Sequence, residues 1–322
     1  MSIPEPQTSA PPEFEYCTLQ MLRDEGMCIA ELPDKRAKML IRLASRRINE
    51  VTSQWFSPVR RFFRVRGRHN PFAHLENLIP IVKIEQLAIG YPGQDIVVPD
   101  FSYIHTPGRR IIELNRRIKN YTTPLAQRVT AGMYGIRDPI FPQGPEVVKI
   151  TGVFGWLENY DEAESKVVGL VEAGDTDVIV DNLTGWEVGS VAVFDGVRNK
   201  IAMVSGIDSA LMTLKFDPLD FDVPDNSMIH CYGRVPMAIQ RACQLVVHDK
   251  VKNMSDFIRE EEGVERRILN ESTEGYSYSI QPITPQREKH LGGPLGGINS
   301  TGNLEADMLL SAYVAPVYVG YA

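Results

Sequence analysis

The acidic cluster that most resembles a metal site contains four aspartates: Asp217, Asp220, Asp222 and Asp225. Counted as a calcium-binding loop from Asp217, its sixth position is Asp222 where such a loop needs glycine. Its twelfth position is Met228, where the loop needs a glutamate that binds through both oxygens. We therefore interpret the cluster as an acidic turn between two strands, and we expect no metal there.

Other residue types that could do chemistry lack the neighbours that chemistry requires. The glycine-rich stretch 292–302 has no Gly-Lys-Ser/Thr ending, so we interpret it as a flexible connection and not as a phosphate loop. The histidines at 69, 74, 105, 230, 248 and 290 form no HExxH motif, and no Gly-x-Ser-x-Gly occurs. The spacing of the four cysteines (Cys17, Cys28, Cys231 and Cys243) matches no zinc or redox pattern, which favours free thiols from a reducing compartment. The sequence thus predicts a protein that is not an enzyme and has no cofactor.

The cations of the chain are concentrated in one block. The whole chain carries 34 Lys/Arg against 41 Asp/Glu, a net charge of −7, which taken alone argues against a nucleic-acid-binding protein. Residues 34–128, however, carry 18 Lys/Arg against 7 Asp/Glu. Residues 1–33 carry 1 against 6, and residues 129–322 carry 15 against 28. Charge asymmetry of this kind usually indicates surfaces that meet partners.

A predicted helix over residues 34–56 carries part of this block. Asp34 can cap its first turn, and apolar residues follow at steps of three and four: Ala37, Leu40, Ile41, Ala44, Ile48, Val51 and Trp55. Its cations are Lys35, Arg36, Lys38, Arg42, Arg46 and Arg47, and Arg60, Arg61, Arg64, Arg66 and Arg68 follow. A basic face can neutralise DNA phosphates without reading sequence. It can also match an acidic neighbour or simply be solvated, and the three interpretations stay open.

The pattern of elements predicts an α+β protein. We expect a small helical body with helices at about 34–56, 236–257 and 304–313, joined by β segments at 62–156 and a long loop at 115–145. Short apolar runs separated by Asp195-Gly196 and Ser205-Gly206 predict an inserted antiparallel β module at 165–233.

The same pattern suggests four segments. They are an N-terminal arm (1–33), a body (34–164 and 234–303), the inserted module (165–233), and a C-terminal helix with an apolar tail (304–322). No apolar run approaches the roughly 20 residues that cross a bilayer, and the acidic, proline-rich start is unlike a signal peptide. We therefore expect no membrane partner.

Five short motifs occur in an order that resembles the head-to-tail adaptor (connector) proteins of tailed bacteriophages, in a longer form with a β insertion. A capped helix at 37–55 comes first, followed by Val-x-Ile-Thr-Gly-x-Phe-Gly-Trp at 148–156. Val-Pro-x-Ala-Ile-x-x-Ala at 235–242 opens another helix. Gly-Tyr-Ser-Tyr-Ser at 275–279 and Glu-Ala-Asp-x-Leu-Leu-x-x-Tyr-x-x-Pro at 305–316 complete the series.

The resemblance implies a structural virion protein of the phage neck, assembled in the host cytoplasm. Its partners would be further copies in a homo-oligomeric, usually dodecameric ring, the portal protein, and a downstream neck or tail protein. DNA would pass through the ring without sequence-specific contacts. The cations of helix 34–56 would then line either the DNA channel or a surface between subunits. The C-terminal segment would dock on the portal through Leu309, Leu310, Tyr313, Val317, Tyr318 and Val319.

Two other functions remain open at this stage. One is a tail or baseplate binding module that recognises another virion protein or a host glycan through the β insertion. The other is a DNA-processing enzyme that uses the basic block. Packing of the C-terminal tail on its own subunit is likewise an alternative to portal docking.

Overall fold

The structure is a computed structural model of the chain. It describes residues 14–29, 32–75, 79–90, 95–115, 140–160, 162–195, 200–261, 270–273, 276–279 and 300–314. Residues 1–13, most of the predicted loop 115–145, most of the glycine-rich stretch 292–302, and Val317, Tyr318 and Val319 lie outside the described residues.

The described residues form an α+β protein with two compact units. One unit contains Gln54–Pro236, and the other contains residues 14–53 together with 237–314. The helices belong to the second unit, whereas the β segments at 62–156 and the β module belong to the first. This division differs from the sequence-based one, which placed helices and β segments in one body.

The helical unit is built on amphipathic helices. Its elements are α1 (Leu19–Asp24), α2 (Asp34–Thr52), α3 (Met237–Glu261), the hairpin of β14 (Asn270–Thr273) and β15 (Tyr276–Ser279), α4 (Leu304–Leu310), and a 3-10 turn at Ser311–Tyr313. The predicted apolar face of α2 is buried from Ala37 to Val51, and α2 and α4 both pack on α3. Within the described residues, no helix is long and apolar enough to cross a membrane.

Helix α2 ends earlier than its apolar spacing predicts. Ser53 adopts a left-handed conformation with φ 54°, which stops the helix after Thr52. Trp55, predicted as the last helical apolar residue, instead packs against the core of the β unit. Asp34 is also not a side-chain cap: Pro33 holds the cap position, and Asp34 pairs with Arg23 at 2.5 Å.

The predicted N-terminal arm is part of the helical unit from residue 14 onward. Phe14, Tyr16, Cys17 and Leu22 are buried, and the backbone N–H of Tyr16 donates to the Ser45 hydroxyl at 3.0 Å. The Cys17 and Cys243 sulfurs lie 3.5 Å apart as free thiols. The proline-rich composition of residues 1–12 suggested a free arm, but the apolar residues that follow are numerous enough to pack.

Two small sheets enclose the first core of the β unit. The strands are β1 (Val59–Gly67), β2 (Phe72–His74), β3 (Ile81–Ile89), β4 (Ile96–Val98), β5 (Tyr103–His105), β6 (Ile111–Leu114) and β7 (Gly144–Phe154). One sheet has the order β1-β7-β3-β4 and the other the order β2-β6-β5, all antiparallel. Val65, Leu87, Ile112 and Ile150 are among the buried residues that both sheets contribute to one core.

The inserted module is a closed antiparallel barrel. Its strands are β8 (Ala163–Lys166), β9 (Asp177–Ile179), β10 (Ser190–Phe194), β11 (Ile201–Asp208), β12 (Thr213–Phe216) and β13 (Met228–Arg234), in the order β8-β13-β10-β11-β12-β9. A bridge between Val167 and Val180 joins β9 back to β8 and closes the barrel. The sequence-based expectation of an antiparallel module is therefore confirmed.

The segments that lead into and out of the barrel pair with each other through their backbones. The N–H of Glu158 donates to the Arg234 carbonyl at 2.8 Å, and the N–H of Arg234 donates to the Glu158 carbonyl at 2.9 Å. The chain thus enters and leaves the barrel side by side.

The glycines of the β7 motif allow close strand contacts. A Cβ at Gly152 would lie 2.2 Å from the Lys83 carbonyl oxygen on β3, and one at Gly155 would lie 2.3 Å from the Ser57 carbonyl oxygen. Real Cβ atoms essentially never approach another atom this closely, so a side chain at either position would require the backbone to shift.

We predict that Gly152→Ala destabilises the protein by about 1–3 kcal/mol, because β3 and β7 must move apart. The matched control is Gly206→Ala, since a Cβ there meets only the Lys215 side chain at 3.6 Å. Denaturant unfolding followed by circular dichroism measures both. Equal stability losses in the two variants would contradict the steric explanation.

Candidate interaction surfaces

The six predicted cations of α2 do not form one free surface. Lys35 and Arg46 are exposed, whereas Arg36, Lys38, Arg42 and Arg47 are half-buried. Arg42 pairs with Glu15 at 2.8 Å, and Arg46 pairs with Glu50 at 3.6 Å. Arg47 donates to the Ser300 carbonyl at 2.6 Å and contacts Glu50 at 3.2 Å. At least two of the cations therefore hold neighbouring segments of their own unit.

The solvent-facing stripe of α2 is mixed in character. Lys35, Met39, Leu43, Arg46 and Glu50 are all exposed and recur at steps of three and four. The helical period places them opposite the buried face. Charge counting alone misses the two apolar residues, although their spacing in the sequence could have revealed them.

The C-terminal helix α4 turns different residues outward from those predicted. Leu310 is fully buried in its own unit, so, contrary to the prediction, it is not available as a docking residue. Leu309 and Tyr313 are half-buried. Leu304 and Met308, which the sequence analysis did not single out, are 44% and 62% exposed.

A buried carboxylate fastens α4 to the segment before it. Asp307 is 2% exposed and accepts hydrogen bonds from the Ser300 hydroxyl (2.5 Å), the Thr301 N–H (2.8 Å) and the Thr301 hydroxyl (2.7 Å). The Asn303 side chain caps the helix by accepting from the Ala306 N–H at 3.0 Å. Since Arg47 binds the Ser300 carbonyl, this network also links α4 to α2.

Four of the five arginines that follow α2 in the sequence (Arg60, Arg61, Arg64 and Arg66) lie on β1, at the edge of its sheet, and Arg68 follows the strand. Its only neighbour among the described strands is β7. Val65 points into the core, so Arg60, Phe62, Arg64 and Arg66 share the opposite face. The Arg64 guanidinium lies over the Phe62 ring, 5.7 Å from its centroid. Arg60 and Arg64 also pair with Glu85 and Glu146, at 2.7 Å and 3.1 Å.

The barrel carries a complementary pattern on β9 and the residues beside it. Asp177, Ile179 and Asp181 are exposed, because the intervening Val178 and Val180 point into the barrel core. The row therefore alternates acid, apolar residue and acid along the outside of the barrel.

An apolar strip runs beside this row. Val168 and Leu170, which follow β8, are 52% and 66% exposed. The Val168 N–H donates to the Ile179 carbonyl at 2.9 Å, so the strip is a direct neighbour of β9. Residues 163–234 contain 5 Lys/Arg against 12 Asp/Glu, so the surroundings of this strip are acidic.

A cluster of ionisable groups surrounds His230 and Tyr232 on β13. The two ring nitrogens of His230 face Glu164 at 3.2 Å and Asp195 at 2.9 Å. The ring of Tyr232 stacks with His230, at 6.2 Å between centroids, and lies 5.8 Å from the Lys83 ammonium. Since both nitrogens of His230 lie within hydrogen-bond distance of carboxylates, we interpret the arrangement as a structural hydrogen-bonded cluster. Within the described ranges, no group of three His, Cys, Asp or Glu side chains could hold a metal ion.

We predict that Asp307→Ala destabilises the protein by about 2–3 kcal/mol, because the Ser300 and Thr301 donors lose their acceptor. Hydrogen exchange should accelerate most in residues 300–313. Glu305→Ala, at an exposed position of the same helix, is the control and should change stability by less than about 0.5 kcal/mol. Unchanged exchange in Asp307→Ala would contradict the fastening role.

We also predict an alkaline loss of stability from Tyr232. Burial and the nearby carboxylates of Glu85, Glu162, Asp195 and Glu164 raise the pKa of Tyr232 to about 12. The unfolded chain releases this proton near its ordinary pKa of about 10. The stabilisation is thus complete below pH 10 and is lost as the pH rises through 12.

A rapid pH jump followed by tyrosinate absorbance measures this titration before the protein unfolds. The difference between wild type and Tyr232→Phe should show one phenol that ionises near pH 12. A difference that appears near pH 10 would contradict the burial and charge explanation.

Comparison with known proteins returned no match. No protein-family model, no curated protein and no solved structure matches the chain. The surfaces described above, together with the order of sequence motifs, are therefore the basis for a functional proposal.

Proposed function

We propose that this protein is a structural ring protein of a tailed-phage neck, which joins the portal to the tail and surrounds the DNA channel. The order of the five motifs from helix 37–55 to residues 305–316 supports the family. The observation that carries the proposal is the pair of exposed apolar residues Leu304 and Met308 on α4, followed by residues 309–322, which contain no charged side chain.

The C-terminal region has the composition of a docking segment. Residues 308–322 contain no charged side chain. On α4, which overlaps the start of this region, Leu304 and Met308 are one helical turn apart and both exposed. Exposed apolar residues in a continuous group usually mark a surface that a partner covers. In this proposal the partner is the portal protein, and Leu309, Tyr313, Val317, Tyr318 and Val319 continue the contact.

A rigid base supports this docking segment. Asp307 holds α4 in place, and Arg47 connects the network to α2. Because the base is ordered before binding, less conformational entropy is lost when the portal is bound. The network thus gives the short helix the stability that its length alone does not provide.

The proposed mechanism is mechanical and electrostatic, with no catalytic step. DNA that must slide through a ring should meet few strong phosphate contacts, since each contact adds to the affinity. Exposed cations on α2 are separated by Met39 and Leu43 and accompanied by Glu50, which suits weak, non-specific proximity to DNA. A dodecameric ring, a downstream neck or tail partner and a location in the virion neck follow from the resemblance.

We predict that Leu304→Asp combined with Met308→Asp weakens binding to the portal protein of the same phage by about tenfold or more. The matched control is Met237→Asp, which changes an exposed methionine elsewhere in the helical unit. Surface plasmon resonance measures the affinity, and electron microscopy of the complex shows whether a ring sits on the portal. Equal affinities in the two variants would contradict docking through α4. A protein that stays monomeric, binds a host glycan and does not bind the portal would contradict the proposed neck function.

A further inference from the structure

Two strands of the β unit present the same pattern with opposite charges. On β1, Arg60, Phe62 and Arg64 form a row on the outer face, which Arg66 continues. On β9 and the residue pair after it, Asp177, Ile179 and Asp181 do the same. Alternate residues of a strand lie about 6.6 Å apart, so the two rows have equal spacing. In each row an apolar residue lies between two charged residues, so the pattern is the same in both strand directions.

We propose that copies of this chain associate head to tail through these rows, with the β9 row of one copy on the β1 row of the next. Asp177 and Asp181 would pair with the two arginines, and Ile179 would pack on Phe62. Because the two rows are different surfaces of one chain, the contact is heterologous and can repeat around a ring. Ring closure rests on the proposed neck function, whereas the pairing of the rows does not.

Apolar contact contributes beside the charges. Val168 and Leu170 lie next to Ile179 and are exposed, so they would cover the stems of the arginines and the face of Phe62. Arginine stems are apolar and can be buried while the guanidinium stays at the rim. Val168 and Leu170 therefore add buried apolar area to the contact, whereas the charged residues determine how the two copies are oriented.

The charges of both rows have local partners that can be exchanged. Arg60 and Arg64 pair with Glu85 and Glu146, whose side chains are 25% and 58% exposed. The Asp181 carboxylate accepts from the Lys166 N–H at 2.7 Å, and Lys215 stands opposite Asp177. Exposed ion pairs such as those of Arg60 and Arg64 are individually weak, so a partner copy can replace them at small cost.

The test uses two full-length variants with reversed rows. Arg60→Glu with Arg64→Glu gives acid facing acid, and Asp177→Arg with Asp181→Arg gives arginine facing arginine. Each variant alone should associate at least about tenfold more weakly than wild type, since like charges are placed together. An equimolar mixture restores opposite charges at every contact and should regain association, with the two chains alternating.

Native mass spectrometry reports both the oligomer size and the composition of the mixture. Circular dichroism confirms that each variant is folded. The control reverses two exposed barrel charges outside the rows, Glu172→Lys with Asp220→Lys, and should associate as wild type does. Association should also weaken in 1 M salt, where screening acts within about 3 Å.

Several outcomes would overturn the proposal. These are a wild-type chain that stays monomeric at high concentration, reversed variants that associate as wild type does, or a mixture that does not recover. Loss of DNA affinity in the β1 variant with unchanged oligomer mass would assign that row to DNA instead. Failure of the neck function is a separate result: mixed rings that alternate but never bind portal would refute that function and support the row pairing.

Discussion

In a strand that borders a core, only every second side chain can be buried, and this constraint decides where the charged surfaces of the protein lie. Val65 is fixed in the core between the two small sheets, so its even-numbered neighbours on β1 must face outward. Val178 and Val180 fill the barrel in the same way and leave Asp177, Ile179 and Asp181 outside. The side chains through which this protein would contact partners are thus exposed because the alternate residues of the same strands fill the two cores.

The helical unit follows a different constraint, the satisfaction of buried polar groups. Asp307 is buried but accepts three hydrogen bonds from Ser300 and Thr301, which offset the cost of removing a carboxylate from water. Arg42 and Arg47 bind Glu15 and the Ser300 carbonyl, so they join α2 to the segments on either side. The basic residues of α2 therefore do not all face outward: Arg42 and Arg47 stabilise the helical unit itself.

The sequence was sufficient for the features that depend on local periodicity. The buried face of α2, the α+β class and the inserted β module could be predicted, because apolar spacing records which side of an element is buried. The early end of α2 could not, since Trp55 fits the helical period and is diverted by packing in the β unit. Neither could the burial of Leu310 or the packing of Phe14 and Tyr16, which depend on distant parts of the chain. The rows on β1 and β9 became visible only when strand boundaries fixed which alternate residues face outward.

The paired backbone of Glu158 and Arg234 has an evolutionary consequence. A domain whose two ends lie side by side can be inserted or removed as one unit. The rest of the fold is little disturbed, because the two chain ends at the junction are already close together. Closure of the barrel by Val167 and Val180 gives that domain a core of its own. The junction at residues 158 and 234 is therefore the boundary at which such an insertion or removal would leave the two-sheet core intact.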